Sequence, residues 1–185
     1  MKTLMTILGV VLLFAFGAVG VLWSGSLSVS ALNSTPPLIE WAVHSVVQRS
    51  VRAQASSIQA PTNLKDRAAQ GATDFHEMCV QCHGAPGKER GEVGQGLNPR
   101  PPSLSDAAPG WTPSELFWIV KNGIRMTGMP ALGPTHEDDR IWAIISFVEQ
   151  LPSMTPAEYQ QRQSPSPRGA PHPHEHHGDH HEHAH

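Results

Sequence analysis

The residues with the most specific chemistry in this sequence are its two cysteines, Cys79 and Cys82, with His83 directly after them. In a Cys-x-x-Cys-His segment, the two thiols can add across the two vinyl groups of one haem. The histidine that follows can then supply an imidazole nitrogen to the iron. The segment therefore predicts one covalently bound haem c, attached through Cys79 and Cys82 and ligated by His83.

Three other uses of the same segment fit the sequence less well. A thioredoxin-like redox pair needs a βαβ setting, which the flanking residues do not provide. A zinc site normally has four nitrogen or sulfur ligands, and the sequence holds no second pair of cysteines. A structural disulfide between Cys79 and Cys82 would leave His83 without a role.

An electron-carrying haem needs a second axial ligand, and a methionine thioether is the usual partner of histidine. The candidates downstream are Met126, Met129, His136 and Met154. Met129 lies between Gly128 and Pro130, which let the backbone approach a ring closely and then hold an extended strap. We expect Met129 to be the ligand, with Met126 second and His136 a remote third. A methionine in this position argues against a haem peroxidase, which needs an open coordination position.

The elements that must position these residues are predicted to be helices. The sequence has helix-period apolar patterns but no run of alternating β-branched residues, and its 16 glycines and 17 prolines indicate long loops. Its formal net charge of −3 provides no basic field for nucleic acid. We predict an all-α fold in which three or more short helices surround one covalent haem, preceded by a transmembrane helix.

The haem domain is predicted to span residues 63–152. Its helices are expected at Leu64–Met78 after a cap at Thr62 or Asn63, at Pro113–Asn122 after a capping box of Thr112 and Glu115, and at Thr135–Leu151. Residues 84–111 are expected to be loop. The core stripe of the last helix is Ile141, Ile144, Ile145 and Val148, flanked by Trp142 and Phe147. Such a small core would gain its missing apolar mass from the haem.

Residues 1–23 are predicted to anchor the chain in a membrane. Lys2 precedes an uncharged apolar stretch that is long enough to span a bilayer, although the small residues at Val29-Ser30-Ala31 also allow a cleaved signal sequence. With Lys2 in the cytoplasm, the haem domain would face the periplasm of a bacterium, from a single span in the inner membrane. Haem attachment to thiols is exported chemistry in bacteria, in agreement with this topology.

Residues 24–62 are predicted to be a linker followed by a juxtamembrane helix, from about Leu38 to Ile58. Trp41 in this helix suits a membrane interface. Two alternatives remain open from the sequence: an interfacial helix that orients the haem domain over the bilayer, or a stalk helix packed on that domain.

The segment from Asn63 to Pro152 resembles a class I cytochrome c, and the whole pattern is similar to single-span, membrane-anchored bacterial cytochromes c. The resemblance rests on Cys79-x-x-Cys82-His83, on the strap from Met126 to Ala131, and on a Gly71 and Phe75 pair in the first helix. In the family this pair crosses an aliphatic–aromatic pair on the last helix, which Ile144 and Phe147 match. Leu132 stands where such straps often have an aromatic residue. The resemblance implies electron transfer through an exposed haem edge, between protein donors and acceptors.

Residues 153–185 are predicted to be a disordered tail that is rich in histidine from residue 172. Eight of the twelve histidines of the chain lie there: His172, His174, His176, His177, His180, His181, His183 and His185. Neutral imidazoles in a flexible segment can bind zinc, copper or nickel. We expect weak metal binding there, and the alternative is a solvated segment without a specific ion.

The leading functional hypothesis is a membrane-anchored carrier of single electrons, with no catalytic residue of its own. A second hypothesis is a haem c relay subunit of a dehydrogenase or terminal oxidase complex. A third is a metal-handling protein that acts through its histidine-rich tail.

Overall fold

The described part of the chain begins with one long apolar helix. The structure, a computed structural model, describes residues 2–163. Helix α1 (Lys2–Trp23) has a mean hydropathy of 2.5, and none of its residues is buried. By length and composition α1 could cross a membrane. A signal sequence near an N-terminus can have the same length and composition. The predicted apolar helix over residues 1–23 is thus present from Lys2.

After α1, residues 24–163 form helices and loops without a β-strand. The helices are α2 (Pro37–Ala55), α3 (Ala68–Asp74), α4 (Val80–His83), α5 (Glu92–Gly96), α6 (Leu104–Ala107), α7 (Pro113–Asn122), α8 (Asp138–Val148) and α9 (Pro156–Gln163). Short 3₁₀ turns occupy Leu64–Arg67, Ala108–Gly110 and Leu151–Ser153, and a π-helical turn, Phe75–Cys79, joins α3 to α4. The predicted all-α class is confirmed.

The first helix of the domain is longer than expected and reaches the histidine of the Cys-x-x-Cys-His segment. Helical turns follow one another without a break from Leu64 to His83. The predicted cap was wrong at Asn63, because its side chain makes no capping hydrogen bond. Residues 84–111, expected to be loop throughout, include the short helices α5 and α6.

Helix α7 begins and ends as its sequence predicts. Glu115 N–H donates to Thr112 Oγ1 at 3.3 Å, and Thr112 N–H donates to Glu115 Oε2 at 2.8 Å, which completes the capping box. The helix ends at Asn122, where Gly123 takes a φ of +66°. A side chain at that φ would be strained, so glycine terminates the helix at low cost.

Helix α8 begins later than expected, at Asp138 rather than Thr135. The Thr135 hydroxyl donates to Leu132 O at 3.2 Å and so closes a turn ahead of the helix instead of capping it. Helix α8 ends at Val148, and Leu151 belongs to the following 3₁₀ turn. Every residue from Ile141 to Val148 is buried, which includes the whole predicted core stripe.

The core is centred where α3 crosses α8. A Cβ atom at Gly71 would lie 2.0 Å from Ala143 O and 2.7 Å from Ile144 N, so only glycine lets the two backbones come this close. One turn further on, the rings of Phe75 and Phe147 lie 5.1 Å apart. The expected crossing of the two residue pairs is therefore observed.

The predicted start of the disordered tail at residue 153 was wrong, because helix α9 follows it. Tyr159 in α9 is 1% exposed and packs edge-on against Phe75, with ring centroids 6.2 Å apart. Its hydroxyl also lies 3.1 Å from His76 Nδ1. The helix is therefore part of the folded domain. The eight tail histidines lie outside the described residues.

Candidate functional site

The helical run after α3 brings the two cysteines and the histidine to one side of the chain. Cys79 closes the π-helical turn, and Cys82 and His83 lie in α4. Residues three and four positions apart in a helix share a face, so the three side chains can act on one ligand. Glycine ends the run: Gly84 has a φ of +70°, and a Cβ there would lie 2.7 Å from Lys88 O.

The imidazole of His83 is held in one tautomer by the loop that follows it. His83 Nδ1 lies 2.8 Å from Pro102 O. A carbonyl oxygen can only accept, so Nδ1 carries the proton and the lone pair of Nε2 is left for a ligand. Burial lowers the pKa of His83, and the charge of Arg90 lowers it further, while the hydrogen bond to Pro102 opposes them. The neutral form, the one that binds iron, is therefore favoured.

The two cysteines are free and partly buried. Burial, followed by the negative charges of Asp74 and Cys82, raises the pKa of the Cys79 thiol to about 12. A redox-active Cys-x-x-Cys pair needs a thiol with a lowered pKa, so this environment argues against thioredoxin-like chemistry. Nor does any group of three or more His, Cys, Asp or Glu side chains in residues 2–163 have the arrangement of a metal site. The zinc alternative therefore gains no support from these residues.

The strap between α7 and α8 is tied back onto the end of α7. Leu132 N–H donates to Val120 O at 3.0 Å, and Ile124 N–H donates to Met129 O at 3.2 Å. The Thr127 hydroxyl accepts from Met129 N–H at 3.1 Å. These bonds fix the backbone of the strap on both sides of Met129, as a ligand-bearing segment requires.

The candidate second ligands differ in their surroundings. Met129 is half-buried, whereas Met126 is 91% exposed and has a φ of +62°. Met154 is buried in the apolar core. The Nδ1 atom of His136 lies 2.8 Å from Thr135 Oγ1, and its Nε2 is buried with no partner among the described residues. Of the two methionines in the strap, Met129 is the one that the fold partly encloses.

The loop between α4 and α6 borders both the cysteine segment and the strap. A Cβ at Gly94 would lie 2.6 Å from Cys82 O, so α5 packs directly on α4. A Cβ at Gly128 would lie 2.6 Å from both terminal carbons of Leu97, so the strap packs on the same loop. The Cys79–His83 segment and the Met129 strap therefore both contact the loop between α4 and α6.

Two residues of this loop were not singled out from the sequence. Pro102 supplies the carbonyl that orients His83, and in the sequence it belongs to a proline-rich run, Pro99-Arg100-Pro101-Pro102. Arg90 is half-buried, and its Nε has no hydrogen-bond partner within residues 2–163. A buried N–H donor requires an acceptor, and a haem would bring two propionates. The cation, the free imidazole nitrogen and the paired thiols together fit a covalently attached haem.

Comparison with known proteins agrees with this geometry. Residues 66–148 match the family described as "Cytochrome C oxidase, cbb3-type, subunit III". No curated protein matches the chain. The matched segment includes Cys79, Cys82, His83 and Met129, and it ends with the last residue of α8.

Proposed function

Because residues 66–148 form a class I cytochrome c domain, we propose that this chain is a membrane-anchored carrier of single electrons in the bacterial periplasm. The observation that carries the proposal is the His83 imidazole, with Nδ1 bound to Pro102 O and Nε2 left for iron, directly after two free cysteines. When bound, haem c supplies a one-electron couple between ferric and ferrous iron. The chain supplies ligands, a low dielectric and a fixed orientation.

In this proposal Cys79 and Cys82 would hold one haem through two thioether links, and His83 would ligate its iron. Met129 would be the second ligand, since it is half-buried in a strap whose backbone is fixed on both sides of it. A thioether as the partner of histidine raises the reduction potential of such a haem. It also fills the position that a peroxidase would leave open.

Arg90 is proposed to hold a haem propionate. Its Nε is buried without a partner among the described residues, and its charge acts on His83. A guanidinium can bind a carboxylate through two parallel hydrogen bonds. Pairing with a propionate would satisfy the buried donor and place a positive charge near the iron.

The proposed location follows from α1 and the charge beside it. A helix of 22 residues is about 33 Å long at the helical rise, enough to cross the hydrocarbon core of a bilayer. With Lys2 on the cytoplasmic side, the domain after α1 faces the periplasm. Donor and acceptor proteins would meet the haem edge there.

A second candidate is a haem c relay subunit within a dehydrogenase or terminal oxidase complex. The matched family carries the name of an oxidase subunit, which favours an oxidase over a dehydrogenase. Purification in a mild detergent separates the two functions: a relay subunit stays bound to the other subunits, whereas a free carrier elutes without them.

For the histidine-rich tail we propose weak binding of zinc, copper or nickel by the eight imidazoles between His172 and His185. The acids interspersed among them can add oxygen ligands. This would make metal handling an accessory property of the electron carrier rather than its main function.

The test of the proposed function is the haem content of the purified full-length protein. Its intact mass after denaturation should exceed the polypeptide mass by one haem, because thioether bonds survive unfolding. Potentiometric titration should then follow a one-electron curve. Haem that is extracted by acid and acetone, or a mass equal to that of the polypeptide alone, would overturn the proposal.

A further inference from the structure

Helix α2 has two halves with different environments. In the C-terminal half, Val51 and Ala55 are 1% and 3% exposed and pack on the domain at α7. Arg52 Nε also lies 3.8 Å from Glu115 Oε1. In the N-terminal half, residues 37–44 and Val46 are all exposed. Only the second half of the helix is therefore a stalk packed on the domain.

The exposed half carries a continuous apolar stripe. Its members are Leu38, Ile39, Ala42, Val43 and Val46. Leu38 and Val46 are 74% and 67% exposed. At about 100° per residue these side chains share one face, roughly opposite the face through which Val51 and Ala55 meet the domain. The polar His44 lies on the domain side of the helix, away from the stripe.

Two residues beside the stripe also fit a membrane surface. Trp41 is 67% exposed and lies between the stripe and the domain side of the helix, about 60° from Leu38 and from His44, and an amphipathic ring of this kind settles at the headgroup level of a bilayer. Arg49 is exposed and follows the stripe on the same face at about 100° per residue. An arginine there could reach lipid phosphates while its stem remains over apolar surface.

The connection between α1 and α2 limits how far this half of the helix can lie from the end of α1. Residues 24–36 are the whole connection between the two helices. They are tied to the domain, because Asn98 Nδ2 donates to Ala31 O at 3.2 Å and to Asn33 O at 2.8 Å. Together with the docking of α2 on α7, this gives the domain two attachments to the segment that leaves α1.

From these observations we propose that the N-terminal half of α2 lies on the lipid bilayer, with its apolar stripe in the headgroup boundary. The C-terminal half of α2 and the Asn98 contact then fix one orientation of the domain above the membrane. The inference rests on the proposed function in one respect, since it takes α1 to span the bilayer. In this proposal lipid rather than protein covers the stripe, because a membrane-spanning α1 keeps the start of α2 near the bilayer surface.

The experiment uses full-length protein in vesicles of phosphatidylcholine and phosphatidylglycerol, with a nitroxide placed at one site at a time. The sites are Val43 in the stripe, His44 on the opposite face and Gly17 within α1. Labelling through an introduced ketone amino acid avoids Cys79 and Cys82. Collision rates with oxygen, which partitions into lipid, and with a water-soluble nickel complex report the depth of each label.

The proposal predicts that the ratio of oxygen to nickel collisions is several-fold higher at Val43 than at His44, and higher still at Gly17. If Val43 is as water-accessible as His44 while Gly17 is deep, the helix does not lie on the bilayer and the inference is overturned. If Val43 is shielded from both reagents, protein covers the stripe, which overturns it equally. A water-accessible Gly17 would instead contradict the membrane anchor of the proposed function.

Discussion

Two neighbours of His83 fit the proposed haem site, Pro102 by orienting the imidazole and Arg90 by its charge. Pro102 fixes the imidazole tautomer through its carbonyl oxygen, and burial keeps the ring neutral. Arg90 places a cation nearby with a buried donor that has no partner among the described residues. A cation beside the haem stabilises the ferrous state, which carries one electron more than the ferric state, so Arg90 should raise the reduction potential.

The charge of Arg90 can be tested by substitution. In Arg90→Gln the midpoint potential should fall, because a positive charge is removed and a propionate loses its partner. A tenfold loss of preference for the ferrous state corresponds to about 59 mV in a one-electron couple. Potentiometric titration measures the shift, and Arg100→Gln, an exposed cation of the same loop, is the matched control. Equal midpoint potentials for the two variants would show that Arg90 does not act on the haem.

The site could be predicted from the sequence wherever short-range spacing defines it. Cys79, Cys82 and His83 are adjacent in the chain, and the glycine and proline beside Met129 mark its strap. Pro102 and Arg90 could not be found in this way. Their role depends on how the loop after α4 folds back, with Gly94 against Cys82, and that contact joins residues with no pattern in common.

At the scale of the elements, the crossing of α3 and α8 determines whether the domain packs at all. The two backbones approach so closely at Gly71 that a Cβ there would lie 2.0 Å from a backbone oxygen. The Phe75 and Phe147 rings pack beside this crossing at 5.1 Å, both almost fully buried. Because backbone atoms form the contact, neither helix can adapt by rotating a side chain.

Gly71→Ala should therefore lower the free energy of unfolding by about 1–3 kcal/mol, the usual cost of overpacking a core. Gly110→Ala is the control, since a Cβ at Gly110 has no atom within 4 Å. Chemical denaturation of both variants, followed by helical circular dichroism, provides the comparison. A Gly71→Ala protein as stable as Gly110→Ala would mean that the helices can separate without cost.

The same scale shows why α9 was missed. The residues Thr155-Pro156-x-Glu158 repeat the Thr-Pro-x-Glu pattern that correctly predicted the start of α7. In both places the threonine and glutamate form reciprocal bonds: Glu158 N–H donates to Thr155 Oγ1 at 3.3 Å, and Thr155 N–H donates to Glu158 Oε2 at 2.7 Å. This local pattern favours a helix within the segment after Pro152, which was expected to be disordered. A single tyrosine, Tyr159, supplies the apolar contact that docks the helix.

At the scale of the whole molecule, the chain combines a hydrophobic helix, a docked connecting segment, the haem domain and a histidine-rich tail. The domain includes more of the chain than composition indicated, because Val51 and Ala55 on one side and Tyr159 on the other are buried against it. Sequence periodicity located α1 and α2, but it could not decide which parts of α2 meet protein, since that depends on the position of α7.

The tail is expected to act independently of the haem. Truncation after Gln163 should leave the haem spectrum and midpoint potential unchanged and should remove most bound zinc or nickel. Binding by the full-length protein should also weaken as the pH falls through ~6.5, because protons compete with the metal for imidazole. Metal titrations of both forms at two pH values measure these effects. Equal metal uptake by the two forms would show that the tail does not bind metal.

The measurement that tests the central claim most directly is the visible spectrum of the oxidised protein, with its weak far-red band from sulfur coordinated to ferric iron. A carrier ligated by His83 and Met129 should show this band, Met129→Ala should abolish it, and Met126→Ala, at the exposed methionine three residues earlier, should retain it. Loss of the band in Met126→Ala alone, or its absence from the unaltered protein, would contradict the proposed ligation.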